Sequence, residues 1–171
     1  GITLIPQAMS IVADEVIDLH RQLVPYGYDE INVNLGCPSG TVVSKKRGSG
    51  ILAYPDMLDS FLDELYTKAD FPVSIKTRVG FNDDELWPRL IEIYSKYPIS
   101  ELTVHPRVQK DFYKNTPRMD DFALAMQKIN PDKTTLCYNG DITDTNSFNA
   151  LTDCFPDINE IMIGRGLFAN P

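Results

Sequence analysis

The chain lacks the raw material for several familiar kinds of site. It has three cysteines, Cys37, Cys137 and Cys154, an odd number with no metal-type spacing and no Cys-x-x-Cys pair. That argues against a disulfide framework or a structural zinc site and fits a reducing, cytoplasmic setting. No apolar run approaches the roughly 20 residues needed to cross a bilayer. The opening GITLIPQAMS has no basic stretch followed by an apolar one, so no signal peptide is expected. No Gly-x-Gly-x-x-Gly occurs, which leaves a Rossmann-type dinucleotide site unsupported. Low-complexity tracts, Pro/Ser linkers and strict repeats are also missing.

What remains is ordinary core material. The 171 residues are 43% hydrophobic and 23% charged, the balance of a soluble globular protein, and one domain is the default. The net charge of −8 argues against a nucleic-acid partner unless basic groups are gathered locally.

Short β-rich runs alternate with amphipathic stretches. Strands are expected at 2–7, 29–34, 71–76, 100–105, 134–139 and 159–164. Helices are expected near 10–24, 56–69, 84–97, 119–129 and 144–154. Ser10 is placed to cap the first helix and Gly27 to follow its end, while Pro55 and Asp56 suit a helical first turn. This alternation implies parallel βαβ units, either an open doubly wound sheet or a (β/α)8 barrel. Nearly every predicted strand ends on a polar group: Gln7, Asn34, Lys76, His105 and Asn139, with the last running into Gly164-Arg165. A barrel brings all such ends to one mouth, whereas an open sheet scatters them. The expected fold is therefore an α/β TIM barrel, partial, with about six of eight strands in this chain.

The same strand ends carry the chemistry. Lys76 and Arg78 in SIKTRVG, and His105 and Arg107 in LTVHPR, repeat a basic-x-Arg arrangement. A lysine there can hold an anion or stabilise a reduced cofactor, although strand-end lysines also simply extend into water. His105 can act as neutral donor, proton shuttle or orienting group, or be structural. YNGDI and IGRGLFANP place Gly140, Asp141, Gly164 and Arg165 after the last two strands, where barrels frequently bind phosphate. In NLGCPSG, Gly36 and Pro38 hold Cys37 in a turn at the mouth, offering a nucleophile, a general acid or a redox thiol. Cys137 and Cys154 read as small core residues. TVVSKKRGSGILAYPD reads as a mobile Gly/Ser-rich lid with three adjacent basic residues.

Taken in order from Ile31 to Pro171, NVNLGCPSGTV, GSGIL, SIKTRVG, LTVHPR, YNGDI and IMIGRGLFANP resemble the tRNA-dihydrouridine synthase family. The resemblance implies an FMN-dependent enzyme that reduces uridine in tRNA with electrons from NADPH. Cys37 matches the catalytic cysteine that protonates C5 of uracil. Gln7, Lys76 and His105 match groups beside the flavin, and Asn139, Gly140, Asp141, Gly164 and Arg165 match its ribityl-phosphate site. Asn34 and Arg78 match residues facing the uracil, and Arg107 is grouped with them. No metal is implied, and a monomer is expected.

On this reading residues 1–171 are part of the FMN-binding catalytic domain. The N-terminal barrel strands and a C-terminal helical tRNA-binding domain lie outside the chain. HPRVQKDFYKN departs from the family's usual loop. A local field around Lys45, Lys46, Arg47, Lys110, Lys114 and Arg118 is expected to offset the acidic total. Two other readings compete: a flavin barrel that reduces or oxidises a free pyrimidine or dihydroorotate-like substrate, and a non-catalytic RNA- or phosphate-binding barrel.

Overall fold

A computed structural model describes residues 2–169. Six parallel strands form one sheet in sequential order. They are β1 (Gln7–Ala8), β2 (Ile31–Leu35), β3 (Val73–Gly80), β4 (Glu101–Val108), β5 (Thr135–Tyr138) and β6 (Glu160–Ile161). The longer helices are α1 (Ala13–Leu23), α3 (Pro55–Lys68), α4 (Trp87–Tyr94), α5 (Met119–Lys128) and α6 (Thr145–Cys154). Short helices α2 (Gly40–Val43) and α7 (Arg165–Ala169) follow β2 and β6. A doubly wound sheet would reverse its strand order at a switch point. Here each strand pairs only with its sequence neighbours, the winding of a partial TIM barrel.

Alternation along the strands separates two chemistries. Ile31, Val33, Leu35, Ile75, Val79, Leu102 and Val104 share a buried cluster with Val16, Leu58, Leu62, Leu65, Trp87, Leu90 and Phe122 of the helices. Each fully buried aliphatic side chain of this kind contributes about 1.5–3 kcal/mol. The intervening residues Asn32, Asn34, Ser74, Lys76, Arg78, Thr103, His105 and Arg107 point to the opposite face. Register aligns them across the sheet, with Asn34 opposite Lys76 and Arg78 opposite His105.

Several expectations need correction. Residues 2–6 form no strand; only Gln7–Ala8 pairs with β2, and Ile2 is exposed. Pro6 has no N–H to offer a ladder, although its carbonyl accepts from the Asn32 amide. Strands β3 and β4 continue beyond Lys76 and His105, because Thr77 and Val79 in β3 and Val108 in β4 extend the buried face. The register shifts between Arg78 and Gly80, where Pro106 and Arg107 of β4 stand against the single Val79 of β3, so β4 bulges beside the basic residues. Helix α1 starts after Ser10, whose hydroxyl accepts from the Val12 amide in a local turn. Gly27 does adopt a left-handed conformation, φ 86°, just past the first helical region. Cys154 is exposed at the end of α6, whereas Cys137 is buried as expected.

The second half of the segment read as a lid, residues 48–52, packs into the buried interior, while the basic first half stays outside it. Ser49, Ile51 and Leu52 are fully buried and Gly50 is buried beside them, whereas 41–47 are exposed or half-buried. Glycine at 50 is needed there, since a Cβ would lie 2.7 Å from the Val43 carbonyl oxygen.

At the start of α5, Asp121 has one carboxylate oxygen buried without a hydrogen-bond partner among the described residues. Burial and the adjacent Asp84 push its pKa up to about 7. The folded value exceeds the unfolded one, so this group's stabilisation is present at low pH and lost as pH rises towards 7. Asp121→Asn should therefore raise the urea midpoint at pH 8, by about 1 kcal/mol equivalent, and leave it near the parent's at pH 4. An equal gain at both pH values would contradict the assignment.

Candidate active site

The C-terminal ends of the strands surround a cavity of about 370 Å³. Gln7, Asn34, Cys37, Lys76, Arg78, His105, Asn139, Gly140, Asp141, Gly164 and Arg165 all line it. Arg107 does not. It is buried behind the wall, where its guanidinium binds both carboxylate oxygens of Asp141 and the carbonyls of Lys114 and Asn115.

Each polar group is set by its neighbours. The Gln7 amide donates to Asn32 Oδ1 at 2.7 Å and accepts from Asn34 Nδ2 at 2.8 Å. Asn34 Oδ1 accepts from the Gly36 and Cys37 amides at 3.0 and 2.9 Å. This folds the chain sharply after β2 and leaves Cys37 half-buried on the cavity wall. Asn139 Nδ2 donates to the Met162 carbonyl at 2.9 Å, tying the ends of β5 and β6 together.

Electrostatics is dominated by clustered cations. Lys76 makes no hydrogen bond to another described residue, and burial beside Arg78 pulls its pKa down to about 8. Burial and the nearby Arg78, Lys76 and Arg107 depress His105 to about 3, so the imidazole is neutral at pH 7. Arg107 Nη1 lies 3.2 Å from His105 Nε2. Guanidinium can only donate, so Nε2 accepts and the ring proton sits on Nδ1. His105 is thus a neutral donor, and at pH 7 it has no charged form to act as a proton source. Asp141 is held below the usual carboxylate range by its bond to Arg107 and also accepts from Arg165 at 2.8 Å.

Arg78 is nearly sealed, 2% exposed. It donates to the carbonyls of Gly36 at 2.9 Å, Val108 at 3.0 Å and Phe112 at 2.7 Å. Its edge reaches the cavity, but three of its N–H groups are committed to main chain.

The model of the dihydrouridine synthase (Dus) family matches residues 7–171. The chain belongs to this family. It is 33% identical over 154 residues to a probable tRNA-dihydrouridine synthase of Staphylococcus aureus, covering 88% of this chain and 46% of that protein. It is 29% identical over 159 residues to tRNA-dihydrouridine synthase B of Pasteurella multocida, covering 92% and 47%. The chain therefore spans about half the length of the curated relatives it matches.

In this member of the family the cavity has one wall that the motifs did not signal. Tyr113 is 55% exposed, with Arg165 4.8 Å and Arg78 5.7 Å from its ring centre and His105 6.3 Å away. The only hint was an aromatic pair, Phe112-Tyr113, in a loop following a strand. Of the basic residues considered for a local field, Arg118 is ion-paired to Asp84 and Asp111 and Arg47 to Glu15, while Lys45, Lys110 and Lys114 are exposed.

The depressed Lys76 value is directly measurable. Competitive acylation followed by mass spectrometry should titrate Lys76 near pH 8, well below the ordinary value of a lysine side chain. A Lys76 titration above 10 would refute the desolvated ammonium.

Proposed function

We propose that this chain contributes the flavin-binding catalytic part of an enzyme that reduces uridine to 5,6-dihydrouridine in tRNA. The observation that carries the reading is the sharing of one cavity by the Cys37 thiol, the Lys76 ammonium and a neutral His105. Family membership and the names of the relatives support the substrate class.

The residues present suit FMN. Lys76 is a cation without a hydrogen-bond partner among the described residues, suited to an electron-rich ring that becomes anionic on reduction. A Cβ on Gly164 would meet nothing within 4 Å, so the wall there is open to a ligand's close approach. Gln7, Lys76 and His105 would hold the ring; Asn139, Gly140, Asp141, Gly164 and Arg165 would hold the ribityl-phosphate end. When bound and reduced by NADPH, the flavin would supply the hydride for C6 of the uracil.

The chain's own part is positioning and proton transfer. Asn34 keeps one amide N–H available beside Gln7 and can donate it to a uracil carbonyl. Arg78 fixes the turn through Gly36 and presents its edge to the same space. Cys37 then donates its proton to C5, a task open to a thiol because thiols are largely protonated at neutral pH. His105 cannot compete for that role while it stays neutral. The base must leave its stack to reach the cavity. Affinity for the RNA backbone would come from exposed Lys45, Lys46, Lys110 and Lys114 and from a C-terminal helical domain beyond these residues. The remaining barrel strands also belong to the longer protein, which we place in the cytoplasm.

Replacing the thiol separates chemistry from binding. In the full-length protein, Cys37→Ala should lower dihydrouridine formation at least about 100-fold while FMN absorbance is retained. Unchanged turnover would remove Cys37 from the chemistry. Equal activity of the parent on free uracil or dihydroorotate would favour a small-molecule flavin enzyme.

A further inference from the structure

The turn carrying Cys37 is held far more completely than a surface turn requires. Water would satisfy exposed loop carbonyls equally well. Here, however, every main-chain polar group of Gly36, Cys37 and Pro38 has a protein partner. The two amides bind Asn34 Oδ1. The Gly36 carbonyl accepts from Arg78 Nε at 2.9 Å. The Cys37 carbonyl accepts from the Ser49 amide at 3.0 Å and hydroxyl at 2.8 Å. The Pro38 carbonyl accepts from Gln109 Nε2 at 3.0 Å.

Contact from the other side is equally tight. Gly48 has φ 53°, and a Cβ there would lie 2.8 Å from the Cys37 oxygen and 3.0 Å from its Cβ. The turn cannot shift that way.

The remaining freedom is controlled by a single loop. Arg78 reaches Val108 and Phe112, and Gln109 lies between them in sequence. Phe112 is held at φ 53°, an uncommon conformation for a non-glycine residue, with its carbonyl turned onto Arg78. The segment after β4 therefore grips the carbonyl before the thiol through Arg78 and the carbonyl after it through its own Gln109.

We propose that Gln109 is a positioning residue for Cys37, fixing the C-terminal half of the turn and with it the direction of the sulfur. What the thiol does rests on the function proposed above, but where it is held does not. The side chain touches neither the cavity nor any candidate ligand-contacting group. Its effect must pass through the Pro38 carbonyl. Small errors in placing a reacting group are costly in rate, so a loosened turn should reduce turnover more than binding.

The test uses three full-length, FMN-loaded variants. Gln109→Leu removes the donor, Gln109→Glu keeps the shape without a donor, and Gln109→Arg restores a donor. The first readout is the iodoacetamide alkylation rate of Cys37, by mass spectrometry, referenced to exposed Cys154 and buried Cys137 of the same molecule.

Leu and Glu variants should alkylate Cys37 about five times faster than the parent, with Cys154 and Cys137 unchanged and the Arg variant near the parent. In tRNA turnover the same two variants should lose about tenfold in kcat, with KM within twofold. Alkylation rates unchanged in both donorless variants would overturn the proposal. So would a rise at Cys137 matching that at Cys37, which marks general opening. If the parent makes no dihydrouridine, the functional reading fails while the alkylation comparison still decides the role of Gln109.

Discussion

A guanidinium with no carboxylate within ion-pair distance among the described residues organises this molecule. Arg78 sits near the C-terminal end of β3, buried, with its charge spread over three main-chain carbonyls from three segments. Burying an unpaired charge costs several kcal/mol, offset here by charge-assisted bonds of about 1.5–3 kcal/mol each. Those bonds tie the Cys37 turn, the end of β4 and the loop beyond it into one unit. Lysine at 78 could not reproduce this, because an ammonium lacks the planar, forked set of donors.

The same cation shapes the chemistry of its neighbours. Together with Lys76 and Arg107, and with burial as the larger cause, it keeps His105 uncharged. It also adds to the desolvation that makes Lys76 give up its proton more easily. Asp141 is the counterweight, joining Arg107 inside the wall to Arg165 at the rim. The result is a positively biased mouth on a chain whose net charge is −8, so the total charge says little about the site.

Much of this could be read from the sequence, for identifiable reasons. Alternation in INVNL and VSIKTRVG signals strands with one apolar and one polar face, and parallel winding brings their ends together. That suffices to gather Gln7, Asn34, Lys76, His105 and Asn139. Strand ends were misjudged where charged residues continue a ladder, as Arg78 and Arg107 do, because a charge in a strand normally reads as its exit into water. Arg78 is instead consumed by carbonyls, and Arg107 by the carbonyls of Lys114 and Asn115 together with the Asp141 carboxylate; a carbonyl partner leaves no pattern in sequence. Burial of GSGIL was missed for a related reason: glycine and serine suggest a mobile loop, yet at Gly48 and Gly50 small size permits close packing. Tyr113 and Gln109 lie in a loop without periodicity, and only the fold shows what they touch.

The central claim is that the thiol and the cationic groups face one bound flavin from opposite sides of a shared space. A crystal structure of the flavin-loaded full-length protein tests this most directly. The account predicts the ring against Gln7, Lys76 and His105, with Cys37 Sγ across the substrate space from it. A flavin bound elsewhere, or a sulfur turned into the helix-facing core, would contradict it.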